Sequence, residues 1–155
     1  MKTGTKTKIL LQILFILYIL FMLWLLFGQR MGFVVLDDYT EQLKRNINII
    51  PFKTAALYFK QIFVQNTGIS PAHAVINFFG NIIMFIPLGF FLPLCLTKKL
   101  SFGRFICYIV IIIFSVEIIQ FVTLLGSFDV DDIILNTLGS SVGYPFHKLI
   151  KKYRV

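Results

Sequence analysis

Charge is scarce in this chain, and negative charge scarcest: 155 residues carry 7 Asp and Glu against 15 Lys and Arg, and charged residues make up 14% of the whole. A soluble domain holds about a quarter, so an ordinary hydrated surface on every side is excluded. Cysteine and histidine are nearly missing, with two of each. Cys95 and Cys107 only flank a short connection from 97 to 104, which makes no disulfide framework. His73 and His147 supply no metal-like spacing, so neither a metal nor a cofactor is expected. Internal repeats and low-complexity stretches are absent as well, and one domain is expected over 1–155.

What fills the chain is apolar: 57% of residues are hydrophobic and 18 are Phe. That is more apolar surface than one compact soluble core of this length can hide, so the expected class is an all-α, polytopic membrane protein. A spanning helix needs about 20 mainly apolar residues at ~1.5 Å each. Four segments fit, at 9–27, 78–96, 105–125 and 130–150, the last being least apolar and dependent on packing against the others. The first reads as a retained anchor, because its apolar run exceeds the ~7–15 residues of a signal peptide and no small-residue cleavage site follows.

The basic excess does not point to nucleic acid, since Lys and Arg lie in short blocks beside apolar runs. Lys2, Lys6 and Lys8 precede the first segment; Lys98, Lys99 and Arg104 separate the second from the third; Lys148, Lys151, Lys152 and Arg154 follow the fourth. With four spans these blocks share one side, and enrichment of cytoplasmic loops in positive charge places both termini in the cytoplasm. Asp37, Asp38, Glu41, Asp129, Asp131 and Asp132 fall on the other side. The outer connection, 28–77, is long enough to have structure of its own. From 51 to 64 the residues Phe52, Ala55, Ala56, Phe59 and Phe63 recur at helical spacing behind Pro51, with Lys53 and Lys60 able to reach headgroups. An interfacial or partly re-entrant helix is the expected result.

Glu117 is the exception within the third apolar run. An ionised carboxylate near a bilayer centre costs roughly 2.5–3.5 kcal/mol even on insertion scales, so it faces a partner or a watered cavity. Counting rise per residue puts it ~12 Å below the outer end of its helix, with Asn136 and Asn81 ~5–6 Å deep on the fourth and second. Glu117 with Gln120, Asp132 with Asn136, and Asn77 with Asn81 each share a helix face at i,i+3 or i,i+4. Three helices thereby present amides and carboxyls in the outer half, and an outward-opening polar pocket is expected. Each residue also has a plainer role: Asn and Gln as interhelical hydrogen bonders, and Asp129, Asp131 and Asp132 as caps at a helix start. Pro87 and Gly89 predict a kink and close approach, and Gly139 with Gly143 a small-residue packing surface. His73, beside Pro71, reads as a surface residue of the outer loop.

These residues stand in a definite order: Arg45 to Phe52, Asn81 to Pro87 with Gly89, Glu117 to Gln120, then Asp129 to Asp132 with Asn136 and Gly139. The order resembles the VanZ-like family of bacterial membrane proteins, over Arg45 to Tyr144. The resemblance implies a bacterial cell-membrane location and a link to low-level resistance to the glycopeptide teicoplanin. It also implies that Arg45, Asn48, Asn81, Glu117, Gln120, Asp129, Asp132 and Asn136 are the characteristic polar positions.

The expected site follows from both lines. Glu117 and Asp132 are the candidate catalytic pair, acting as acid and base. Arg45, Asn48, Asn81, Gln120, Asp129 and Asn136 are the candidate ligand-binding residues, with Arg45 able to hold a phosphate if the outer loop folds over the pocket. The expected partner is a membrane lipid, a lipid-linked cell-wall intermediate or a lipoglycopeptide itself. Binding without chemistry, an intramembrane enzyme and a small proton-coupled transporter are the three function classes. The last is disfavoured because the polar groups stop halfway across.

Overall fold

The computed structural model describes residues 3–28, 38–64, 67–96 and 100–153; Lys2, Asp37, Lys98, Lys99 and Arg154, assigned sides above, lie outside them. In chain order come α1 (Thr3–Phe27), α2 (Tyr39–Arg45), a two-residue strand β1 (Ile47–Asn48), α3 (Lys53–Phe63) and α4 (Pro71–Cys95). Then follow α5 (Phe102–Val122), β2 (Phe128–Asp129), α6 (Val130–Gly143) and a 3-10 segment, Tyr144–Tyr153.

Among the described residues three helices are long and apolar enough to cross a membrane: α1 over Thr5–Phe27, α4 and α5. The expected fourth span at 130–150 is therefore corrected. Its α-helix stops at Gly143 after 14 residues, about 21 Å against the ~30 Å of a hydrocarbon core. The chain continues as the 3-10 segment, with a non-helical break at Ile150. The first turn also carries Asp131 and Asp132, so its N-terminal end is polar where a span would be apolar.

Two further boundaries differ from expectation. α4 starts at Pro71, seven residues before 78, because a proline at the first helical position has no N–H to lose and its φ suits the helix. The connection from α1 to α4 is correspondingly shorter than expected, and a helix does form within it, as α3.

α5 organises the interior. Phe105, Ile109, Ile113, Glu117 and Gln120 are its buried residues, and their spacing of four, four, four and three puts them on one face. The first three join Met22 of α1 and Phe85 and Leu88 of α4 in the buried apolar cluster. The last two continue the same stripe with polar groups. α6 lies against α4 backbone to backbone: a Cβ on Gly89, Gly139 or Gly143 would come within 2.0 Å of the carbonyl oxygens of Ser140, Ile82 or Ile86. Only glycine permits that approach at these three points.

Pro87 interrupts the hydrogen-bond ladder of α4, and side chains of other helices bond carbonyls nearby. Tyr18 on α1 donates to the carbonyl of Met84 at 2.8 Å, and Ser140 on α6 donates to that of Phe85 at 3.3 Å. At the other end of the bundle β1 pairs in parallel with β2, Ile47 opposite Phe128 and Asn48 opposite Asp129. This pins the α1–α4 connection to the α5–α6 turn.

Candidate functional site

A cavity of about 190 Å3 opens where the C-terminal ends of α1 and α5 meet the N-terminal parts of α4 and α6. One water needs only ~10–15 Å3 by this measure, so a polar group larger than water fits. His73, Asn77 and Asn81 line it from α4, at i, i+4 and i+8 along one helix face. α5 contributes Glu117 and Gln120, the α5–α6 turn Ser127 and Asp129, and α6 Asp132 and Asn136. Leu26 and Tyr58 complete the wall from α1 and α3. His73 and Ser127 are exposed at the rim, whereas Glu117 and Asn136 are buried, which gives the cavity a mouth and a floor.

Hydrogen bonds tie the lining to every surrounding element. Gln120 donates its Nε2 to the carbonyl of Leu26 at 2.9 Å, answering one of the unpaired carbonyls at the end of α1. Asn81 Nδ2 donates to Asp132 Oδ1 at 2.5 Å, joining α4 to α6. The backbone N–H of Asp129 approaches Glu117 Oε2 at 3.4 Å. Asp129 caps its own helix by accepting from the N–H of Asp131, and also accepts from Asn48 Nδ2 at 3.0 Å. Asn136 is 4% exposed, and its Oδ1 is buried with no hydrogen-bond partner.

Six of the eight expected site residues thus share the cavity: Asn81, Glu117, Gln120, Asp129, Asp132 and Asn136. Asn48 stands one layer behind, fixing Asp129 and bonding Thr54 Oγ1 at 2.9 Å. Arg45 is not part of the lining. It lies exposed at the end of α2, paired with Glu41 at 3.1 Å, one helical turn away.

Four lining residues, Leu26, Tyr58, His73 and Ser127, were not expected there. The signal for His73 was its spacing of four and eight from Asn77 and Asn81, visible only once α4 is started at Pro71. Its ring meets that of Tyr58 edge-on, with centroids 6.0 Å apart.

Asp131 has a different task from its neighbours. It is 1% exposed, and its carboxylate accepts the backbone N–H groups of Phe52, Thr54 and Ala55 at 2.5, 2.8 and 2.9 Å. These are donors at the start of α3, where an acidic group meets both unpaired N–H groups and the positive end of the helix dipole. Phe52 adopts a left-handed φ of 65° to aim them.

On the adjoining face of α6, Ile134, Leu135 and Leu138 form an apolar groove with Phe52, Ala55 and Phe59 of the α3 region; its volume is about 430 Å3. α6 therefore carries a polar face and an apolar one side by side. Among the described residues no group of three His, Cys, Asp or Glu is arranged to hold a metal ion.

The match to known proteins covers the same elements. The VanZ/LLP1 family model matches residues 15–151. Protein VanZ of Enterococcus faecium is 29% identical over 110 residues, which are 71% of this chain and 57% of that protein. The chain therefore spans a little over half the length of this relative. No solved structure matches it. With most of its length inside the family match and three helices able to cross a membrane, this chain belongs to the VanZ/LLP1 family of multi-pass, largely helical membrane proteins.

Proposed function

We propose that this protein holds a lipid-linked or lipidated molecule in its polar cavity at the outer leaflet of the bacterial cell membrane. By doing so it lowers susceptibility to teicoplanin and related lipoglycopeptides. The observation that carries this reading is the convergence of polar groups from α4, α5 and α6 on one cavity, at one end of the bundle, beside an apolar groove. An amphiphile needs both kinds of surface next to each other.

The orientation in this proposal rests on charge. Lys6 and Lys8 precede the apolar part of α1, and Lys98, Lys99 and Arg104 lie at the α4–α5 connection. Placing this end in the cytoplasm satisfies the positive-inside preference and turns the mouth of the cavity outward. Expression in a sensitive host tests the role: no change in teicoplanin susceptibility would sink it.

A second reading has an observation of its own. Glu117, Asp132 and His73 line one cavity, and two carboxyls with an imidazole are sufficient for acid–base chemistry on a lipid or a lipid-linked glycan. Glu117→Gln separates the two readings, since it keeps size and hydrogen bonding but cannot transfer a proton. Full protection by a correctly inserted Glu117→Gln variant eliminates the chemistry and leaves binding. Transport has less support, because Phe85, Leu88, Phe105, Ile109 and Ile113 pack the bundle below the cavity with apolar side chains.

A further inference from the structure

Three surfaces follow one another round α3. With successive residues about 100° apart, the cavity-lining Tyr58 is followed by Ala55, Phe59 and Ala56, which line the apolar groove, and then by Lys60 and Lys53. Ala56 has Lys53 one turn before it and Lys60 one turn after, at i−3 and i+4, so the two lysines border the groove on the side away from the cavity. Both lysines are exposed, and among the described residues neither forms an ion pair.

The groove itself faces away from the interior of the bundle. Phe52, Phe59 and Leu138 on its walls are each more than half exposed. Ala55 and Ala56 keep it open, because neither side chain extends beyond Cβ. Asp131 also contributes to the wall, but it is 1% exposed and its carboxylate is engaged by three backbone N–H groups, which leaves the surface apolar.

In the orientation argued above, Lys53 and Lys60 stand on the outer side. The positive-inside preference acts on cytoplasmic loops and gives them no role there. An apolar groove edged by two ammonium groups is complementary to an amphiphile with a hydrocarbon chain and an anionic head, and the anion that membrane lipids carry at headgroup level is chiefly phosphate. Arg45, the cation expected to serve a phosphate, is paired with Glu41 and lines neither the cavity nor the groove.

We propose that the groove between α3 and α6 seats the hydrocarbon chain of an anionic, phosphate-bearing lipid whose phosphate is held by Lys53 and Lys60. The proposal rests on the reading of the groove as the apolar part of an amphiphile site, and names the charge and headgroup chemistry of what occupies it.

The test uses the full chain in dodecylmaltoside, with lipid bound per chain counted by native mass spectrometry. The probes are dioleoylphosphatidylglycerol and dioleoylphosphatidylcholine, which have the same chains and differ in net charge. One phosphatidylglycerol per chain is expected, bound about thirtyfold more tightly than phosphatidylcholine, or about fivefold for each lysine. Lys53→Gln and Lys60→Gln should each weaken phosphatidylglycerol binding by about that fivefold and leave phosphatidylcholine unchanged. Ala56→Phe, which puts a ring into the groove, should abolish saturable binding of both.

Equal affinity for the two lipids in the unsubstituted protein overturns the phosphate assignment. Saturable phosphatidylglycerol binding kept by Ala56→Phe overturns the groove as the seat of the chain. Protection against teicoplanin without the lipid preference overturns this inference and leaves the proposed function standing, whereas the lipid preference without protection does the opposite. The comparison of the two lipids uses the unsubstituted protein, so it stands even if a variant fails to fold.

Discussion

Replacing Asp131 should loosen α3 from the bundle while leaving the three long helices in place. The carboxylate accepts three backbone N–H groups, from Phe52, Thr54 and Ala55. A hydrogen bond to a charged group contributes about 1.5–3 kcal/mol, and simple addition would give about 4.5–9. Addition overstates the loss. Phe52 is 63% exposed and Thr54 only half-buried, so water can reach part of the vacated donors. A loss of about 3–4 kcal/mol is expected for Asp131→Ala, and about 1–2 for Asp131→Asn, which keeps one acceptor oxygen but gives up the charge at the helix N-terminus. Reversible unfolding in mixed micelles titrated with dodecyl sulfate measures the change, and amide hydrogen exchange locates it. Protection should fall over Lys53–Phe63 first. If Asp131→Ala unfolds within about 0.5 kcal/mol of the unsubstituted protein and α3 keeps its protection, the carboxylate is not what holds this helix.

Three other outcomes follow from particular contacts. Gly139→Ala puts a Cβ 2.0 Å from the carbonyl oxygen of Ile82, so α6 must retreat from α4; a destabilisation of about 2–3 kcal/mol is expected in the same unfolding assay, whereas Gly103→Ala, which meets nothing within 4 Å, should not destabilise the bundle. Gln120→Leu removes the bond to the Leu26 carbonyl and should cost about 1 kcal/mol, with cross-linking between cysteines placed at the facing ends of α1 and α5 reporting the loosened contact. Asp38 caps α2 through Thr40, whose side chain and N–H hold its carboxyl below its ordinary value of 3.8. A lowered folded value means that the stabilisation is complete above that ordinary range and is lost as pH falls through the lower one; hydrogen exchange over Tyr39–Arg45, corrected for intrinsic rates, should be constant from pH 7 to 5 and rise only below about pH 3.8.

The long helices were legible because their signal is a run, and runs survive small errors in boundaries. α5 was legible in more detail, since Glu117 interrupts a continuous apolar stretch and Gln120 shares its face. That α4 and α6 each pack closely was also readable, from Gly89 and from Gly139 with Gly143, because close backbone approach leaves a mark in composition; that they pack against each other was not. The fourth span was not, because 130–150 contains enough apolar residues for one and nothing in a count says that the α-helix ends at Gly143. Arg45 could not be placed either. Its distance from the cavity depends on how α2 and β1 fold back on the α5–α6 turn, a long-range arrangement with no local periodicity.

The acidic cluster at the start of α6 shows most directly why spacing alone left the site incomplete. Successive residues of a helix point about 100° apart, so adjacent carboxyls of the same kind serve different neighbours. Asp129 holds Asn48 and its own helix start, Asp131 faces away and grips α3, and Asp132 turns into the cavity to meet Asn81. As caps of one helix the three would be interchangeable, and their Asn variants would weaken the protein alike. In the folded protein they are not: Asp131→Asn should lower stability with little effect on protection against teicoplanin, Asp132→Asn should do the reverse, and Asp129→Asn should do some of both. Equal losses of stability in all three, with protection untouched, would return the cluster to helix capping and remove Asp132 from the site.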